Sequence, residues 1–221
     1  MPADSPPLVL ELFRSTGLAA EWLQSAFAAA EAGAGTIAFR AAYAGSARRL
    51  GARAHAPFTP PAELVAHTRP HWTLVDVVRG ALLAHALSFA PEAGQPQLVI
   101  ALFDGGEIGE QESLLRTLSV LPAPQRLAAA GLNACRTNAT RVFAALACEN
   151  PFPARHLPDP GFNQMVLKAM FMELSTRRIE GLAERVTPEL KRMVESYAAE
   201  RRAAGRPVPE DVEYVCTGAR A

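Results

Sequence analysis

An all-α fold, an irregular stack of antiparallel helix pairs with the character of a HEAT-like α-α superhelix or a bundle, is what this sequence predicts. Three observations carry that expectation. Alanine is abundant, runs of β-branched residues are scarce, and Gly or Pro breakers fall about one helix length apart. The 221 residues contain no linker-like stretch, so a single helical domain over 1–221 is expected. No repeat of fixed period is visible, which favours an irregular stack over a regular solenoid.

The first helical segment spans 7–32, with a break near Gly17, and the AGAG stretch then separates it from a helix over 37–50. FTPPAEL offers a third start, because Pro inside a first turn followed by Glu suits a helix N-terminus. Thr73 with Asp76 three residues on forms a capping signal. Leu74, Val77, Val78, Ala81, Leu82 and Leu87 then make the apolar stripe of a core helix. Helices over 97–103, 109–121 and 124–136 follow, each ended by Gly, Pro or a polar pair. The next are expected over 140–148, 160–174 and 188–205. In the last, Thr187 caps, Pro188 sits at the first helical position, and Gly205 with Pro207 stops the chain. Residues 208–221 have little pattern and are expected to fray.

Bulk composition excludes several classes of function. With 22 basic and 22 acidic residues the formal charge is zero, which argues against nucleic acid or an anionic membrane surface as partner. No apolar run approaches the roughly 18 residues of a spanning helix, so membrane insertion is not expected. The N-terminus lacks a basic secretory n-region and carries Asp4 and Glu11, which predicts a cytoplasmic chain. Cys135, Cys148 and Cys216 are odd in number and lack a CxxC spacing, so they are expected as reduced thiols. His67 and His71 have the i,i+4 spacing of a metal pair, but Pro70 interrupts that helix, and no metal or other cofactor is expected. FDGGEIGE has paired glycines without the GK[ST] ending of a phosphate loop and reads as a turn. Two local imbalances stand out: residues 32–62 carry Arg40, Arg48, Arg49 and Arg53 without an acid, and 104–112 carry Asp104, Glu107, Glu110 and Glu112 without a base. Those segments either face each other or form two solvated surfaces.

One charge poses a sharper question. Lys168 sits in FNQMVLKAMFMEL, a segment apolar nearly all round, and an ammonium there needs a carboxylate, a set of carbonyls or a bound anion. Just before it, residues 135–159 carry Arg136, Thr137, Asn138 and Arg141 around one helix junction and Arg155 with His156 in a Pro-rich loop. Loops between stacked helices emerge on common edges. Arg136, Asn138, Arg141, His156 and Lys168 are therefore candidate ligand-binding residues for an anion, beside an apolar floor that includes Met165 and Phe171. The plainer alternative has Arg136 and Thr137 or Asn138 capping helices, His156 bonding a loop carbonyl, and Lys168 in a buried ion pair. No catalytic residue is assigned.

RTNATR at 136–141, PARHLPD at 153–159, NQMVLKAMF at 163–171, IEGL at 179–182 and ELKRMVESYAAERRAAGRPV at 189–208 together resemble the EboA family. Order and spacing agree across residues 110–210, whereas the N-terminal half shares only a loose Ala-rich helical character. The resemblance implies an all-helical, cytoplasmic bacterial protein associated with trafficking or export of secondary metabolites, encoded with membrane and metal-dependent partners and without an assigned catalytic activity. Recurring polar positions of the family fall on Arg136, Thr137, Asn138, Arg141, His156, Lys168, Arg192 and Arg201. Two departures are Ala139, where an acidic residue is expected, and MELST after Phe171 in place of a Val-Pro-Leu-like turn.

The function expected is therefore non-catalytic: holding a small anionic or amphipathic metabolite, or docking other pathway proteins. One alternative is a small-molecule isomerase or lyase using His156 and Lys168. Another is a pure scaffold with no ligand, whose interface is an exposed apolar patch.

Overall fold

Thr73 shows why the first strong boundary falls where it does. Its backbone amide and hydroxyl both donate to Asp76 Oδ2, at 2.8 and 2.9 Å, closing a capping box at the head of the central helix. The computed structural model describes residues 7–217, and within them the chain is all helical, with a single isolated β-bridge between Pro57 and Thr73.

In chain order the α-helices are α1 (Leu8–Ser15), α2 (Glu21–Glu31), α3 (Ile37–Leu50), α4 (Leu74–Ser88), α5 (Gln95–Asp104), α6 (Ile108–Thr117) and α7 (Ala128–Ala134). They continue with α8 (Thr140–Ala147), α9 (Phe152–His156), α10 (Asp159–Phe171), α11 (Leu182–Arg185), α12 (Pro188–Ala203) and α13 (Asp211–Cys216). Short 3-10 turns join several of them.

α4 is buried along nearly its whole length, and α1, α2, α3 and α6 pack around it. Gly80 makes the close approach of two of these neighbours feasible. A Cβ there would lie 2.9 Å from Val9 Cγ2 on α1 and 3.0 Å from Thr117 Cγ2 on α6. From this centre the stack continues through α6 on α8, α5 on α7, α8 on α10, α10 on α12 and α12 on α13. One buried apolar cluster runs through it, from Val9 to Val215.

Several expected boundaries differ from those found, for physical reasons. The 7–32 segment is two helices because Gly17 takes φ +62°, a left-handed turn that side-chain-bearing residues avoid. FTPPAEL gives only a 3-10 turn over Ala62–His67, since Pro70 follows too soon for a longer helix. The Pro-rich loop holds the short helix α9, and the tail expected to fray holds α13. Val212 and Val215 of α13 are buried against α12, and Asp211 accepts hydrogen bonds from the Thr176 amide and hydroxyl. Residues 218–221 of that tail lie outside the described residues.

The basic 32–62 and acidic 104–112 segments do meet, but no ion pair joins them among the described residues. Arg79 stands between, donating to the Tyr43 and Ala44 carbonyls of α3 and to the Gly109 carbonyl of α6. Backbone dipoles satisfy that buried guanidinium. A second long-range tie joins the chain's halves: Arg69 pairs in two-point fashion with Glu180, 111 positions away.

Candidate functional site: a groove beside Lys168

α10 buries Phe162, Asn163, Met165, Val166, Ala169 and Met170, and it leaves Gln164 and Phe171 exposed, with Leu167 and Lys168 between. The helix is therefore half open, not enclosed on every side as its composition suggests. Lys168 lies on the open side. Its ammonium donates to the Cys135 carbonyl at 2.9 Å and to Asn138 Oδ1 at 3.4 Å, and it lies 5.4 Å from the centre of the Phe143 ring. No carboxylate pairs with it among the described residues.

Cys135 closes the C-terminal end of α7, where carbonyls lack helical partners and the helix dipole is negative. This is a natural seat for a cation. Burial pushes the neighbouring Cys135 thiol up to about 11, against the opposing effect of the Lys168 charge, so it is protonated and unreactive at neutral pH.

A groove of about 570 Å³ opens beside this ammonium, between α10 and α12. Gln164, Leu167, Lys168, Phe171 and Met172 form one wall, Arg192, Met193, Ser196, Tyr197 and Glu200 the other, and Asn138 stands at the edge. Phe171 is 73% exposed although it is large and apolar, and its ring sits 6.0 Å from that of Tyr197. Arg192 is already engaged, holding Glu189 on its own helix at 2.8 and 2.6 Å.

Of the five candidate residues read from sequence, the structure brings together Lys168 and Asn138. Arg141 turns into a different cleft, where it pairs with the buried Glu112 at 2.9 Å; that cleft also takes in His71, Arg116, Cys148, Glu149 and Arg178. Arg136 is exposed on the α7–α8 junction. His156 lies against Phe152, with ring centres 5.1 Å apart and the planes tilted by 52°, and is not among the residues lining the groove. Burial, and then the Arg155 charge, hold its imidazole below the ordinary range. Thr137 takes a local role, accepting from the Ala139 amide at 3.3 Å as α8 begins.

Of the second wall only Arg192 was marked in the sequence, as a polar position recurring in the family; its apolar part was not. Met193 and Tyr197 lie four apart on one face of α12, a spacing that signals a shared face but does not say which helix that face meets.

Fold and groove together define an all-α protein with an open, part-apolar groove edged by one ammonium that has no carboxylate partner among the described residues. The EboA family model, described as metabolite traffic protein EboA, matches residues 13–216, and the chain belongs to that family. The match takes in the N-terminal half, where the sequence had shown only general helical character. No curated protein and no solved structure matches the chain. No helix among the described residues is long and apolar enough to cross a membrane.

Proposed function

We propose that this EboA-family chain takes part in metabolite traffic by binding a small amphipathic anion in the groove between α10 and α12. The apolar part of the ligand lies on Phe171, Leu167, Met172 and Met193, and its charged head meets Lys168 and Asn138. One observation carries the reading: among the described residues the Lys168 ammonium is answered only by a carbonyl, an amide oxygen and a ring, and it stands beside an exposed phenylalanine. A cation without a counter-charge beside uncovered apolar surface matches an amphiphile of opposite charge. The family's description as metabolite traffic protein EboA supports a ligand that is carried or held.

Catalysis by His156 with Lys168 draws no support from this geometry, because His156 packs against Phe152 outside the groove. Calorimetric titration of the full chain with decanoate, alongside Lys168→Met and Phe171→Ser, tests the proposal. Wild type is expected to bind, with about tenfold loss in each variant. Absence of binding by wild type, or equal binding by all three folded proteins, overturns it.

A further inference from the structure

We infer that the groove selects a head group bearing one negative charge, taking a carboxylate ahead of a phosphate monoester; this rests on the groove being the ligand site proposed above. The donors are few. An ammonium has three N–H groups, and two of those on Lys168 are committed to the Cys135 carbonyl and Asn138 Oδ1. One remains for a ligand. The Asn138 amide nitrogen has no protein acceptor among the described residues, so it supplies a second donor beside the first. Two adjacent donors suit the two oxygens of a carboxylate and leave a third phosphate oxygen to water.

Charge along the groove points the same way. Lys168 is the one lining cation without a carboxylate partner among the described residues, because Arg192 is held in two-point contact by Glu189. Glu200 lines the same groove, and no cation pairs with it among the described residues. A monoanion therefore matches the single free ammonium. A dianion adds a second charge that meets no cation, in a groove that also carries the Glu200 carboxylate.

The test compares decanoate with decyl phosphate, equal in apolar chain and different in head charge, titrated at pH 8 into the full chain and into Glu200→Gln. Wild type is expected to favour decanoate about threefold, the scale of one exposed charge contact, and Glu200→Gln to reduce that preference. Equal or tighter binding of decyl phosphate to wild type overturns the selectivity while leaving the groove as a site. A preference that persists undiminished in Glu200→Gln overturns the role given to that carboxylate. If neither amphiphile binds wild type, the ligand site itself falls, and the selectivity with it.

Discussion

The Lys168 ammonium donates to the Cys135 carbonyl at 2.9 Å across 33 sequence positions, which pins α10 to the C-terminal end of α7. That contact gives the lysine a structural duty as well as the proposed one. A charged hydrogen bond at a helix C-terminus contributes on the order of 1 kcal/mol when partly exposed. Lys168→Met is therefore expected to lower unfolding stability by about 1 kcal/mol while leaving helix content unchanged. Denaturant unfolding followed by circular dichroism measures this; a stability equal to wild type shows the contact to be idle.

Arg141 and Glu112 make an unequal pair. The arginine side chain is 76% exposed and the glutamate side chain 7% exposed, so removing the arginine strands a buried carboxylate. Arg141→Ala is expected to cost about 2 kcal/mol, most of it restored by adding Glu112→Gln. Chemical denaturation of the two single variants and the double variant reads the coupling. Purely additive losses contradict the pairing.

His156 sets a pH dependence whose sign follows from its surroundings. Burial and the Arg155 charge lower its pKa from 6.5 in the folded chain. As pH falls, the unfolded chain takes up the proton first. The His156 contribution to stability is thus whole above pH 6.5 and declines below it toward the folded pKa. Histidine NMR titration should place His156 under 6.5, and His156→Gln should flatten the decline just below that pH. A folded pKa at or above 6.5 runs against this account.

Gly80 offers a packing test. The methyl group of Gly80→Ala meets Val9 and Thr117 at 2.9 and 3.0 Å, so crowding of about 1 to 3 kcal/mol competes with a helix-propensity gain of about 1 kcal/mol. A net loss is expected in thermal unfolding. A stabilised variant would show that α1 and α6 yield more easily than their contacts suggest.

Local chemistry made much of the fold legible. Thr73 opens α4 with its amide donating to Asp76 Oδ2, and Thr187 caps α12 by accepting from the Leu190 amide, because both signals act within one turn. The 37–50 helix has its expected bounds because the AGAG breaker lies just before it, and Thr36 caps it by accepting from the Phe39 amide. α13 was not legible: its two buried valines gain their meaning from α12, and six residues carry too weak a pattern alone. The candidate site was legible in part. An ammonium in an apolar segment drew attention to Lys168, but its partner is a backbone carbonyl, and a carbonyl leaves no mark in a sequence. Arg141 lies three residues from Asn138, yet it turns to α6 while Asn138 meets α10. The local sequence of α8 does not specify which neighbour each of its faces meets.

The methionines supply the most direct measurement of the central claim. Met172 and Met193 line the groove, whereas Met165 and Met170 are buried in the core, at 1% and 2% exposure. With 13C-labelled methionine methyl groups, titration with decanoate is predicted to shift the Met172 and Met193 signals in a saturable way and leave Met165 and Met170 in place. Unmoved Met172 and Met193 signals at saturating decanoate, or equal shifts at all four residues, would contradict the groove as a ligand site.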